Sequence, residues 1–344
     1  MIGYYVHHHG RGHLEMARCV AAWLTGNVTG LSSLGRPAGW PGEWLKLPRD
    51  DAAEAAIEPA AHGRLHWAPL GDQGLRDRMA AIAGWIQRAA PSVLVVDVSV
   101  EVTALARLMG VPVVSVVLPG RRGDPAHRLG HALAEALIAP WPASLPGVLL
   151  DGAGPEADKI RHVGAFSRFD GRPPAPSPAR RGGALSVVVL SGGGGSEVTG
   201  RHLRRAAAVT PGWAWTILGG TAGQWAEDPW PALCRADVVI THGGLNAVAE
   251  VAAARKPAVV VPQDRPHGEQ QATAHALARA GLAVIADPWP QDAAWPSLLR
   301  AARELGGARW AAWSTGTGAQ DAAQIIEYIG AHQPGGDSRC AARS

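Results

Sequence analysis

The 344-residue chain contains only three cysteines (Cys19, Cys234, Cys340), scattered and odd in number. That excludes a disulfide framework and a clustered thiolate zinc site, and it fits a reducing cytoplasm. Phe and Tyr are scarce, at two and three residues against 14 Trp. With Ala and Arg also abundant, this looks like a GC-rich coding bias, so single tryptophans carry little functional weight. No apolar run approaches the roughly 20 residues that a membrane span requires. The segment Met1-Ile2-Gly3-Tyr4-Tyr5-Val6 has neither the basic start nor the long apolar stretch of a secretory leader. The net charge is only +3, too weak to suggest a nucleic-acid partner. It is compatible with an acidic ligand or with peripheral contact to an anionic membrane surface. No Asp-x-Asp pair occurs, so no metal is expected on a substrate diphosphate. No G-x-G-x-x-G is completed either: the last position is Glu15 counted from Gly10, Glu197 from Gly192 and Val198 from Gly193.

What is present is a globular composition, 47% hydrophobic and 18% charged, with 43 Gly and 27 Pro that suit many short connections. Short β-branched runs alternate with helical spacing along the whole chain. Strands are expected at Ile2–Val6, Val28–Leu31, Leu65–Trp67, Val93–Asp97, Val113–Leu118, Leu185–Leu190, Trp213–Leu218, Asp237–Ile240 and Ala258–Val261. Helices are expected at Leu14–Leu24, Leu75–Ala90, Val98–Gly110, Ala126–Ile138, Glu197–Val209, after Gly244, from Glu269 to Ala280, and near Trp295–Leu305 and Ala319–Ile329. The segment 166–183, with Pro173, Pro174, Pro176 and Pro178, has a linker composition. The expected division is therefore an N-terminal domain over 1–165, a linker over 166–183, a C-terminal domain over 184–332 and a disordered tail over 333–344. Each half opens with a strand and a Gly-rich turn. The expected fold is α/β, two doubly wound Rossmann-like parallel-sheet domains facing each other across a cleft.

The most informative stretch is Ala236–Ile285. A buried strand runs into Thr241-His242-Gly243-Gly244, and a helix follows. Two glycines let backbone approach a ligand closely, and the helix N-terminus suits a diphosphate. Asn246 and Glu250 are four apart, on one helical face. His242 can donate to a phosphate oxygen and Glu250 can accept from two ribose hydroxyls. Glu269-Gln270-Gln271 open the next helix with groups suited to sugar hydroxyls. The Ser191–Ser196 loop, with Gly193, Gly194 and Ser196, offers further amides to a phosphate. In the first half, His7, His8, His9 and His13 invite a metal reading. Three consecutive residues leaving a strand alternate sides, however, so sharing one ion is not expected and no metal site is assigned. His13, in the first helical turn after Gly12, is the candidate general base.

These residues resemble the nucleotide-sugar domain of GT-B glycosyltransferases, specifically glycosyltransferase family 28, and are similar to the UDP-glycosyltransferases more broadly. The resemblance is carried by the ADVVITHGG run, Glu250, Lys256-Pro257, Pro262, Glu269-Gln270-Gln271 and Gly281, about 50 residues by specific motif. It implies that His242, Gly243 and Gly244, with Gly193, Gly194 and Ser196, bind the donor diphosphate and Glu250 the ribose. It further implies donor-sugar contacts from Asn246, Glu269, Gln270 and Gln271, with His13 as the base beside the acceptor. The implied reaction is inverting, metal-independent transfer of a hexose-type sugar from a nucleotide donor, UDP or else dTDP, to a hydroxyl acceptor that is lipid-linked or small. The nucleotide sugar is a co-substrate, so no cofactor is expected. A UDP-sugar 2-epimerase of the same fold and a non-catalytic nucleotide-sugar-binding protein are the alternatives. Ala247 stands where many plant-type relatives have Ser, and Gln263–Gly268 lacks the usual Asp-Gln-x-x-Asn run. Residues 25–160 match no pattern, which leaves the acceptor open.

Overall fold

A computed structural model describes residues 1–51, 55–145, 150–152, 154–174, 183–192, 197–220 and 223–332. The first half contains strands β1 (Ile2–Tyr5), β2 (Val28–Ser32), β3 (Glu43–Lys46), β4 (Val93–Asp97), β5 (Val113–Val116), β6 (Gly120–Arg121), β7 (Ala136–Ala139), β8 (Leu150–Asp151) and β9 (Ile160–His162). Its helices are α1 (Arg11–Ala21), α2 (Gln73–Ala89), α3 (Val100–Leu108) and α4 (Pro125–Leu133). Seven of the strands form one parallel sheet in the order β3-β2-β1-β4-β5-β7-β9, while β6 and β8 pair apart as a short ribbon. The second half contains β10 (Leu185–Leu190), β11 (Trp213–Leu218), β12 (Val238–Thr241), β13 (Ala258–Val260) and β14 (Val284–Ile285), parallel in the order β11-β10-β12-β13-β14. Its helices are α5 (Gly200–Ala208), α6 (Trp230–Arg235), α7 (Leu245–Ala253), α8 (Glu269–Arg279), α9 (Trp295–Leu305) and α10 (Gly318–Ala331).

The runs Val93–Asp97 and Val238–Thr241 are buried at every position. Strands covered by helices on both faces read as unbroken apolar runs, which is why they are plain in the sequence. The strand order matters most for function. From β1 the chain winds outward to β2 and β3, then returns to add β4 on the other side. From β10 it goes to β11, then returns to add β12. A crevice opens at the carboxyl ends where the winding reverses. Both candidate turns, after β1 and after β12, sit at such a point.

Three local expectations change. The predicted helix over Ala126–Ile138 ends at Leu133, and Ala136–Ala139 is β7. A short apolar run is ambiguous between the two states, and the open edge of β5 decides: Glu135 N–H donates to Val113 O at 2.8 Å and the ladder continues from there. Leu65–Trp67 is not a strand; the N–H groups of His66 and Trp67 donate to Glu101 Oε1 instead, at 2.7 and 3.0 Å. Strand β3 was not anticipated. It is an edge strand, and its Trp44 covers Gly30 of β2, where any side chain would collide with the indole. The tail over 333–344 and residues 175–182 of the Pro-rich linker lie outside the described residues.

Helix α10, grouped by sequence with the second half, packs on α1 and β4 of the first. Thr25 N–H and Oγ1 both donate to Glu327 Oε1, at 2.6 and 2.7 Å. Among the described residues no helix is long and apolar enough to cross a membrane. Ile326 is fully buried in the core, whereas Tyr328 two residues on is 64% exposed. Ile326→Ala should therefore cost about 2–5 kcal/mol of stability, while Tyr328→Ala should change little; urea unfolding of the two variants measures the difference.

Candidate functional site

The first half supplies a histidine–carboxylate pair. The chain leaves β1, bends through residues 8–10 and enters α1, which places His13 in the first helical turn. Asp97 ends β4, the strand beside β1, so its carboxylate emerges at the same sheet edge. His13 Nδ1 lies 2.7 Å from Asp97 Oδ2, and Asp97 is 2% exposed. The approach is off the line of a straight hydrogen bond, and both Asp97 oxygens lack any other partner. Burial works against a charged imidazole, but the charge and proximity of Asp97, helped by Glu269, outweigh it and hold the His13 pKa above its ordinary 6.5. Sequence reasoning missed Asp97. Its signal was there: an acidic residue closing an otherwise apolar parallel strand.

The second half supplies an anion cradle. His242, just after β12, has both ring nitrogens against backbone amides: Gly244 N–H donates to Nδ1 at 3.0 Å and Gly192 N–H approaches Nε2 at 3.2 Å. Burial and the charge of Arg265 push its pKa down to about 4, so the ring is neutral at pH 7. A neutral imidazole accepts at only one nitrogen. As the structure stands, Gly192 N–H also donates to the ring, at Nε2, and a neutral imidazole can satisfy only one of the two amides. If Nδ1 keeps Gly244, Nε2 carries the proton, and the Gly192 contact has to open before Nε2–H and Gly192 N–H can both reach an anionic oxygen.

The halves meet beside these groups. A Cβ on Gly12 would stand 2.6 Å from Asn246 Nδ2, so α7 approaches the turn before His13 only because residue 12 has no side chain. Glu250, further along α7, accepts from Arg168 Nε at 2.8 Å, and burial pushes its pKa up to about 7. Arg168 also donates to Glu227 O at 3.1 Å. Glu269 is raised by burial against the pull of Arg122, whose Nη2 is 3.9 Å from Glu269 Oε2, and of His13.

The structure thus brings His13, Asn246, Glu269 and the His242 turn to one cleft. Gln270 is placed otherwise: it is 4% exposed and its Oε1 accepts from Gln263 N at 2.9 Å, which braces the loop. Gln271 Nε2 donates to Gln263 O at 3.3 Å, leaving Oε1 buried and unpaired. Gly243 is required by packing as well, since a Cβ would meet Gln270 O at 2.5 Å. Gly193, Gly194 and Ser196 lie outside the described residues; Gly192 is the part of that loop whose amide is placed. The premise that three consecutive histidines diverge is corrected. The chain bends instead of staying extended, and the His8 and His9 rings converge, 4.4 Å apart.

Comparison with known proteins follows the same lines. Residues 228–288, which include His242, Glu250 and Gln270, match the model of the glycosyltransferase family 28 C-terminal domain. No curated protein matches the chain by sequence. Solved structures do match across nearly its whole length. The glycotransferase of kitacinnamycin aligns at 17% identity with a TM-score of 0.66, covering 95% of this chain and 98% of that one. MurG of Acinetobacter baumannii aligns at 16% identity and TM-score 0.62, covering 95% and 99%. The spinosyn rhamnosyltransferase SpnG, solved with thymidine diphosphate, aligns at 18% identity and TM-score 0.61, covering 96% of each chain. The chain thus has the fold of the GT-B glycosyltransferases, and its residues 228–288 match the glycosyltransferase family 28 C-terminal domain.

Proposed function

We propose that the chain transfers a hexose-type sugar from a pyrimidine-nucleotide donor, UDP or dTDP, to a hydroxyl acceptor with inversion. The observation that carries this reading is the opposition of two devices across one cleft: a His13–Asp97 pair 2.7 Å apart and the neutral His242 ring with the Gly192 amide against its Nε2. In this reading Asp97 holds the His13 ring and stabilises the imidazolium. His13 Nε2 takes the proton of the acceptor hydroxyl as its oxygen attacks the anomeric carbon from the face opposite the diphosphate. The anomeric bond to the diphosphate breaks, and the leaving charge falls on His242 Nε2–H and Gly192 N–H, with the start of α7 behind them. Donors already aimed at that charge make a diphosphate-bound metal unnecessary. Glu250 takes the ribose hydroxyls, while Asn246 and Glu269 face the sugar. Gln270 and Gln271 contribute by holding the loop, and the alternative of direct sugar contact requires them to leave Gln263. The thymidine diphosphate of the spinosyn rhamnosyltransferase is consistent with a pyrimidine donor. A cytoplasmic site of action rests on the sparse cysteines, of which Cys19 and Cys234 are free.

Three outcomes check this. In a thermal-shift panel of UDP, dTDP, GDP, ADP and NAD, a pyrimidine nucleotide at 100 times its Kd should stabilise by about 2.7 kcal/mol; a shift with NAD alone overturns the reading. Glu250→Gln should weaken nucleotide binding by about 1.5–3 kcal/mol, as expected for a hydrogen bond to a charged group, measured by calorimetry. His13→Ala should bind nucleotide normally yet lose about 10²–10⁴-fold in transfer rate. The pH dependence has a fixed sign. Because the folded pKa of His13 is raised, its pairing with Asp97 stabilises the fold fully below pH 6.5 and is lost as pH rises through the folded value. A base must be neutral, so the rate should rise over that same interval above pH 6.5. Asp97→Asn should lower the His13 titration, followed by imidazole NMR, because burial is then opposed only by Glu269.

A further inference from the structure

A second cluster lies on the other side of His7 from the catalytic pair. The His7 ring is 5.2 Å from that of His8 and 5.5 Å from that of His13. Beyond it, in the wall of a cavity of about 280 Å3, His8 and His9 turn toward Asp50 and Asp51. His8 Nε2 is 3.4 Å from Asp51 Oδ2 and 3.6 Å from Asp50 Oδ1, and His9 Nε2 is 3.2 Å from the same Asp51 oxygen. The ligand atoms of His8, His9 and Asp51 all lie within 4.8 Å of one another.

His9 Nε2 is hydrogen-bonded to Asp51 Oδ2, but the His8 separations of 3.4 and 3.6 Å are too long for good hydrogen bonds. His8 and Asp50 are each more than nine-tenths buried, and His8 Nε2 and Asp50 Oδ1 have no hydrogen-bond partner although they face each other. Leaving two buried polar atoms unpaired is costly. The distances have another meaning. Zinc bonds of about 2.0–2.2 Å to imidazole nitrogen and carboxylate oxygen imply ligand–ligand separations of roughly 3.3–3.6 Å in a tetrahedron. The two edges that meet at Asp51 Oδ2, 3.2 Å from His9 and 3.4 Å from His8, lie at or just below that spacing.

We propose that His8, His9 and Asp51 form a site for a divalent first-row cation of the zinc class, in the wall of the first-half cavity and apart from the donor diphosphate, with the Asp50 carboxylate beside His8. Two imidazoles and a carboxylate with an open fourth position are a donor set suited to that ion. Two present contacts must yield. Exposed Arg49, which donates to both Asp51 oxygens, has to release Oδ2. Arg78 Nη2, 3.4 Å from His8 Nδ1, has to draw back, keeping Tyr5 Oη at 2.7 Å. Arg78 Nε remains 3.4 Å from Asp50 Oδ2, an orienting partner for the carboxylate behind the ion. The other histidine group, His66, His127 and His267, is a weaker candidate. His127 is already satisfied at both ring nitrogens, by Asp124 on one side and by Arg122 Nη1 at 3.0 Å on the other.

The site does not depend on the glycosyltransferase reading, and its test reads metal alone. Chelator-treated, desalted full-length protein is dialysed against zinc, and bound metal is counted per chain. Cobalt is then substituted, and its visible absorption reports coordination by nitrogen and oxygen. The expected result is one zinc per chain, with binding weakened at least about tenfold in His9→Ala and in Asp51→Asn, and the cobalt bands lost in His9→Ala. His9 is 64% exposed at its side chain, so its truncation should leave the fold intact, which circular dichroism verifies. His62→Ala, at a histidine 91% exposed, should bind as the unaltered chain does. Failure to retain zinc, equal retention by His9→Ala, or loss in His267→Ala in place of His9→Ala would each overturn the proposal.

Discussion

Parallel strands all end at the same edge, and that constraint shapes everything polar in this chain. Each sheet reverses its winding once, between β1 and β4 in the first half and between β10 and β12 in the second. Only there do two neighbouring strand ends open onto space not covered by a crossover. His13 and Asp97 occupy the first such point, and His242 and Gly192 the second. The elements that join the halves keep these points opposed: α7 against the turn at Gly12, Arg168 on Glu250, and α10 returning to the first sheet.

Electrostatics then separates the two histidines. Both are partly buried, and desolvation by itself favours the neutral form of each. Asp97 reverses that for His13, whereas His242 has only amides and the charge of Arg265 around it and is pushed down to about 4. One fold element, a histidine at a strand–helix turn, thereby has a raised pKa on one side and stays neutral on the other. The difference lies in a single carboxylate at the end of an adjacent strand.

The sheets were legible in the sequence because buried parallel strands are apolar at every position, as in Val93–Asp97 and Val238–Thr241. The His242 turn was legible because two glycines and then Asn246 and Glu250 break into an otherwise apolar strand–helix run. What escaped depends on contacts between distant segments. Nothing in Ala136–Ala139 distinguishes strand from helix until the β5 edge is present. Asp97 acquires meaning only when β4 lies beside β1. Gln270 looked like a sugar ligand by its type and place, yet its amide is spent on Gln263. Alternation along an extended strand argued that His8 and His9 diverge; the bend after β1 breaks that alternation, and no local signal announced it.

The central claim is that the diphosphate of the donor sits between His242 Nε2–H and the amide of Gly192, facing His13. A crystal structure of the chain with UDP or dTDP tests it most directly. The account predicts a phosphate oxygen within hydrogen-bond distance of both His242 Nε2 and Gly192 N, with the ribose at Glu250. A diphosphate bound instead at the Gly10–His13 turn of the first half, with the His242 ring still closed on Gly192, would contradict it.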